Sequence, residues 1–186
     1  MDLNQVRKDI DRIDGQMKPL FIERMGCAQR VAAVKAQSGG DVFVLERELA
    51  IIEKSLAGVD AAISAEYVGF LRNLFSVSRH YQYGLLPEMQ KKVIGSALAE
   101  AGLEENTPHS SVTVTFKCFA QPSNLNILCN AIILSNIAIK EMQVATVDGI
   151  QQVTMVLAGN LKDAKFRAVL TQIAKESNGF TIKTLA

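Results

Sequence analysis

Apolar residues recur three and four positions apart over the first 37 residues, and the register is never lost. This spacing is that of the a and d positions of a coiled coil. It predicts one helix of about 52 Å, with a bend near residues 14–16 because Gly15 and Pro19 lie in its interior. Such a helix is too long to bury its seam against its own domain, so we expect a helical dimer. The seam consists of Leu3, Val6, Ile10, Ile13, Met17, Leu20, Arg24, Cys27, Val31 and Val34.

Arg24 is the one cation in this seam. A guanidinium at a seam position loses water, and a buried cation without a partner is strongly destabilising. Arg24 therefore needs an anion. Glu23 and Glu48 are candidate salt-bridge partners, and a small anionic ligand is the alternative.

The charges of the chain nearly cancel, with 20 Lys and Arg against 19 Asp and Glu. This balance does not favour nucleic acid or an anionic membrane as a partner. The charged N-terminus has no apolar signal core and no long apolar run follows, so we expect a cytoplasmic protein.

Cys27, Cys118 and Cys129 lie among apolar residues without CxxC spacing, which predicts buried reduced thiols. His80 and His109 are the only histidines of the sequence and are far apart in it, so we expect no metal site.

Two more helices are predicted in the first half of the chain. The second spans about 44–56, and its buried stripe should be Leu45, Leu49, Ile52 and Leu56. The third begins at Ser64 as N-cap and ends near residue 86, where Pro87 closes the segment. It carries Ser78 and Gln82 one turn apart, on or beside the face that should be apolar.

The period changes from helical to alternating after residue 110. The order of elements is then β, α, β, β, α, β, with the first helix from Ser123 and an Asp148–Gly149 hairpin turn. This order predicts a ferredoxin-like α+β unit. We therefore divide the chain into a helical domain over 1–88, a linker helix and loop over 89–109, and an α+β domain over 110–186.

Cations on the first helix have a spacing suited to one small anion. Lys35 lies eleven residues after Arg24, about 20° around the axis and about 16 Å along it, so a dianion could lie between them. Arg7 lies about 25 Å before Arg24, so it reaches the same site only from the partner chain of an antiparallel dimer. Taken singly, Arg7, Lys35 and Arg47 also fit a solvated face, and Ser78 and Gln82 also fit packed helix polars.

Taken together, the types and spacing of these polar residues resemble those of the all-α chorismate mutases. The resemblance covers about residues 3–86, and it rests on the spacing of Arg7, Arg24, Lys35, Arg47, Glu48, Ser78 and Gln82. It implies an intertwined three-helix dimer whose two sites each rearrange chorismate to prephenate in aromatic amino acid biosynthesis, with no cofactor. The remaining length would leave no room for a dehydratase or dehydrogenase domain, so we expect a monofunctional enzyme.

The resemblance also assigns roles. Arg24 and the partner's Arg7, helped by Arg47 and Ser78, would bind the two carboxylates of chorismate. Lys35 and Gln82 would donate to the ether oxygen as the C–O bond breaks, and Glu48 would accept from the ring hydroxyl. This chain departs from the family at Val44, where many relatives have Asp, and at Gly15 and Pro19.

The C-terminal unit is similar to ACT domains, regulatory modules that often bind amino acids. The resemblance implies an amino-acid effector. Ser123 stands where ligand-binding ACT loops usually have Gly, and a side chain there obstructs close backbone approach. A structural module without an effector is therefore the alternative. For the whole chain, the alternatives to a mutase are an isochorismate pyruvate lyase on the same fold and a non-catalytic amino-acid sensor dimerised by its helical part.

Overall fold

The structure, a computed structural model, describes residues 2–119 and 124–186. Helix α1 spans Leu3–Ser38 and runs unbroken through Gly15 and Pro19, which confirms the single long helix. Asp2 caps its start by accepting from the Asn4 amide at 3.2 Å. Gly39 ends it in the left-handed conformation, with φ 72°, which a residue without Cβ adopts at no steric cost.

The N-terminal half of α1 extends away from the rest of the chain. Its residues are exposed up to position 23 with the exception of the half-buried Val6, and the buried residues of the helix are Ala28 and Ala32. The predicted seam is thus uncovered in a single chain, with exposures between 40% and 65% at Leu3, Ile10, Ile13, Met17, Leu20, Val31 and Val34. Cys27 is exposed for the same reason, so its prediction as a buried thiol is wrong for the isolated chain.

Helix α2 spans Leu45–Ser55 and α3 spans Ser64–Gly84, with a short 3-10 helix, Ala61–Ile63, before α3. The predicted buried stripe of α2 is wrong, because no residue of α2 is buried and Leu45 and Leu49 are about half exposed. The predicted Ser64 cap is also wrong. Asp60 instead caps the 3-10 helix by accepting from the Ala62 amide, and α3 continues from that turn.

The second half has the predicted ferredoxin-like order. Its elements are β1 (Ser111–Phe119), α5 (Leu125–Leu134), β2 (Ile139–Val147), β3 (Ile150–Ala158), α6 (Ala164–Glu176) and β4 (Asn178–Leu185). The strands form one antiparallel sheet in the order β2-β3-β1-β4. Asp148 and Gly149 both have positive φ, as a type I′ hairpin turn requires. The predicted helix start at Ser123 lies outside the described residues.

Helix α4, Pro87–Ala101, belongs to the core of this α+β unit. Pro87 opens it at the first turn, where a missing N–H costs nothing, so it does not merely close α3. Ile94, Ala97 and Leu98 of α4 join the main apolar core, formed with the buried faces of β1, β3, α5 and α6. The helix predicted as part of a linker therefore packs as part of the C-terminal unit, while the domain boundaries themselves stay a prediction.

Helix α6 connects the two halves. One side faces the sheet through Phe166, Val169, Leu170 and Ile173, as predicted, and the residues Ala168, Thr171, Gln172 and Glu176 are buried as well. Ala168 packs with Val42, Tyr83 and Leu86 of the helical part. The helical part and the α+β unit are thus in direct contact through α3 and α6. Within the described ranges, no helix has the length and apolarity needed to cross a bilayer.

Candidate active site

A cavity of about 650 Å³ lies where the C-terminal half of α1 faces α2 and α3. This volume is within the usual range for small-molecule sites. Six predicted site residues line the cavity, namely Arg24, Lys35, Arg47, Glu48, Ser78 and Gln82. The seventh, Arg7, is exposed on the free half of α1. A second cavity, of about 760 Å³, lies between the end of α1, α4 and α6, and only Lys35 of the predicted set borders it.

Arg24 reaches the cavity from α1 without a carboxylate partner. Its Nη1 donates to the Ser78 hydroxyl, and its guanidinium lies 5.6 Å from the centre of the Phe75 ring. Partial burial lowers the pKa of Arg24, and the charge of Glu48 opposes that shift. Among the described residues no acidic side chain is within salt-bridge distance of Arg24, so the expected alternative of a bridge to Glu23 or Glu48 is not formed.

Lys35 ties the end of α1 to the loop that leads into α2. Its Nζ donates to the Val42 carbonyl at 3.0 Å and to the Asp41 carbonyl. Burial lowers the pKa of Lys35, and the nearby charge of Arg47 lowers it further. Lys35 and Arg47 are therefore close enough to repel each other, and an anion bound in the cavity would relieve that repulsion.

Ser78 and Gln82 lie one turn apart on α3, and both are more than 90% buried. The Ser78 hydroxyl donates to the Leu74 carbonyl at 3.0 Å, which leaves its lone pairs to Arg24. The Gln82 amide donates from Nε2 to the Ser78 carbonyl at 3.2 Å, and its Oε1 has no partner among the described residues. A buried amide with unused hydrogen-bonding capacity at a cavity wall is suited to a polar ligand.

Arg79 is a cavity residue that the sequence reasoning missed. It is 4% exposed and contacts Glu48 on one side and Glu176 of α6 on the other. One signal for it was available, because Phe75, Arg79 and Gln82 follow the i, i+4, i+7 spacing of a single buried helix face. A cation on such a face needs a buried partner, and that partner could not be read from local sequence.

The lining of the cavity has a surplus of positive charge. Four cationic side chains, Arg24, Lys35, Arg47 and Arg79, face two carboxylates, Asp41 and Glu48. The arrangement is therefore suited to a small dianion, which Arg binds bidentately through carboxylates. No cluster of three or more His, Cys, Asp or Glu residues with metal-site geometry occurs in the described part of the chain.

The family comparison covers the same three helices. A family model described as chorismate mutase type II matches residues 6–83, a range that contains all seven predicted site residues. Residues 6–83 are a chorismate mutase type II domain. The sequence prediction of that domain is confirmed, whereas the ACT-like resemblance of the C-terminal unit stays a prediction.

A curated relative agrees with this assignment. The bifunctional chorismate mutase/prephenate dehydratase of Aquifex aeolicus (strain VF5) is 40% identical over 55 residues, which are 30% of this chain and 15% of that protein. The match thus spans only a small part of the relative. No solved structure matches the chain significantly.

Proposed function

We propose that this chain is a chorismate mutase, which converts chorismate to prephenate by an intramolecular Claisen rearrangement. One observation carries the proposal: residues from three helices, up to 58 positions apart between Arg24 and Gln82, line one cavity with surplus positive charge. Chorismate has two carboxylates, so its charge is complementary to that surplus. The site needs no nucleophile, because the reaction is unimolecular and depends on orientation and charge stabilisation.

Each residue has a role in this proposal. Arg24, oriented by Ser78, binds one carboxylate of the substrate, and Arg47 lies at the same cavity. Lys35 donates to the ether oxygen, where negative charge builds as the C–O bond breaks. Gln82 donates to the same oxygen through the second N–H of Nε2, since the first is bound to the Ser78 carbonyl. A single donor of this kind is worth about 3–4 kcal/mol. Glu48 accepts from the ring hydroxyl through Oε2, which has no donor among the described residues, whereas Oε1 is bound to Arg79.

A second copy of the chain completes the site. The exposed seam on the free half of α1 is the surface that a partner helix would cover. In an antiparallel pair, the partner's Arg7 approaches Arg24, and it would bind the other carboxylate. We therefore propose a homodimer with two equivalent sites, each built from both chains.

We also propose that an amino acid bound to the C-terminal unit regulates the mutase activity. A role in aromatic amino acid biosynthesis and a cytoplasmic location are part of the same proposal. The support for regulation is the ferredoxin-like unit and its direct packing on the helical part. Titration with Phe, Tyr and Trp, followed by calorimetry and by rate, tests it. A heat of binding and a changed rate with one of them support an effector. No binding by any of the three favours a structural module.

A chorismate-depletion assay with identification of the product tests the activity. We expect prephenate from the wild-type chain and a loss of turnover in Lys35→Ala with the dimer intact. Lys54→Ala is the matched control, because Lys54 is an exposed lysine of α2 outside the cavity. Unchanged turnover in Lys35→Ala would refute the site. Salicylate and pyruvate from isochorismate would instead identify a lyase, and no turnover of either compound would favour a non-catalytic sensor.

A further inference from the structure

The end of α6 reaches from the C-terminal unit into the helical part. Both carboxylate oxygens of Glu176 accept from Arg79 of α3, Oε1 from Nε at 2.7 Å and Oε2 from Nη2 at 2.8 Å. Glu176 is 7% exposed and Arg79 is 4% exposed. This is a bidentate, buried ion pair between residues 97 positions apart.

Arg79 is shared with a second carboxylate. Its Nη1 donates to Oε1 of Glu48, and its guanidinium lies 4.8 Å from the centre of the Phe43 ring. Burial alone would lower the pKa of Arg79, but the hydrogen bonds and charges of Glu176 and Glu48 outweigh burial and place it above the ordinary value. Arg79 is therefore a permanent cation, and both carboxylates depend on it for compensation.

Glu48 has little else to fix it. The helix that carries it, α2, has no buried residue, so apolar packing does not set its position. Glu176, by contrast, is buried and held at the end of α6, because Gln172 of the same helix donates to its Oε1 at 3.1 Å and in turn bonds to His80 of α3 at 3.1 Å. The buried end of this set of contacts is therefore on α6, and the weakly packed end is Glu48 on α2 at the cavity.

We propose that Glu176 is a positioning residue for the mutase site, which fixes Arg79 and, through it, the Glu48 carboxylate at the wall of the cavity. The inference rests on the proposed function. It gives the C-terminal unit a direct part in the geometry of the site, whether or not that unit binds an effector.

The geometry suggests why two carboxylates are needed. With Glu176 in place, two of the Arg79 donor atoms are occupied, and Glu48 receives one bond at Oε1. Its Oε2 stays available for a substrate hydroxyl. Without Glu176, Arg79 is free to turn and bind both oxygens of Glu48, which removes that acceptor from the cavity.

Glu176→Gln tests this proposal, since the change keeps the shape and removes the charge. We expect kcat/KM to fall more than about 10-fold, toward the ~100-fold loss that a misplacement of about 1 Å can cause. Lys175→Gln is the matched control, because the adjacent Lys175 also crosses to the helical part, at Asp41, but through an exposed pair. We expect a change of less than about twofold there, as for exposed salt bridges generally.

A double-mutant cycle separates positioning from a general loss of stability. If Glu176 acts through Glu48, Glu48→Gln and Glu48→Gln/Glu176→Gln have the same kcat/KM, because the group to be positioned is already gone. If the two losses multiply, Glu176 merely supports the fold and the proposal is wrong. Should Glu176→Gln not fold, Glu176→Asp keeps the charge but is too short for two bonds, and wild-type activity in that variant would also refute the proposal.

The side-chain Nε–H signal of Arg79 in a ¹⁵N spectrum provides a readout that is independent of turnover. Both Glu176→Gln and Glu48→Gln should shift it, and Lys175→Gln should not. A wild-type chain that leaves chorismate unchanged refutes the proposed function, and the shared contact is then judged on this signal alone. A signal that neither substitution moves would refute the contact itself.

Discussion

The uncovered seam of α1 predicts how strongly the chain dimerises, and Ile13→Glu tests it. Ile13 is 45% exposed in the single chain. Full burial of an isoleucine is worth about 2–3 kcal/mol, so covering this fraction contributes roughly 1 kcal/mol per chain and roughly 2 kcal/mol per dimer. A carboxylate buried in its place adds a desolvation cost of at least about 2 kcal/mol per chain, or about 4 kcal/mol per dimer. The sum, about 6 kcal/mol, raises the dimer dissociation constant more than about 10,000-fold.

Sedimentation velocity over a concentration series measures that constant, and the chorismate assay is run on the same samples. We expect Ile13→Glu to be monomeric at concentrations where the wild type is dimeric. We also expect it to be inactive there, because the partner's Arg7 is missing from each site. Lys18→Glu is the control, since Lys18 lies about 140° around the helix from Ile13 and changes the charge without entering the seam. An Ile13→Glu chain that stays dimeric, or a monomer with wild-type kcat/KM, would refute the reasoning.

Two further predictions concern the pH profile and the core. Burial lowers the pKa of Lys35 below its ordinary value of 10.5, and only the protonated amine donates, so kcat/KM should fall as pH rises through that lowered pKa. Measuring kcat/KM from about pH 7 to pH 11 detects this decrease. Lys35→Arg should remove the decrease, and a decrease with its midpoint at or above pH 10.5 would contradict the assignment. Gly159→Ala would place a Cβ 2.3 Å from the buried Phe166 ring, which should cost about 2 kcal/mol, or about 4–8 °C in Tm. In Gly95→Ala nothing lies within 4 Å of the added Cβ, so calorimetry should show an unchanged or higher Tm, and equal Tm values for the two variants would contradict the prediction.

Local patterns were sufficient for most elements of the fold. The seam spacing of α1 predicts a continuous helix through Gly15 and Pro19 because a regular apolar stripe persists on both sides of them. The Asp148–Gly149 turn follows from the positive φ that both positions need. The cavity cations also follow from spacing, since Arg24 and Lys35 lie on nearly one face of a single rigid helix.

Contacts between residues distant in sequence could not be predicted from such local patterns. Nothing near Arg79 indicates that its partner is Glu176, because that pairing depends on how α6 packs against α3. The stripe of α2 was expected to be buried, but amphipathicity indicates only that a face is apolar, and not that the same chain covers it. Helix α4 was read as part of a linker because its own amphipathic pattern is mild, although the sheet supplies the apolar surface that buries Ile94.

A complementation experiment tests the central claim most directly, that one site is built from two chains. Arg7→Ala and Lys35→Ala chains, each expected to be inactive alone, are co-expressed with different tags and assayed as the mixed population. A mixed dimer has one intact site, which combines Lys35 of one chain with Arg7 of the other. Random pairing should therefore restore about a quarter of wild-type activity. No activity in a population shown to contain mixed dimers would contradict a site shared between chains.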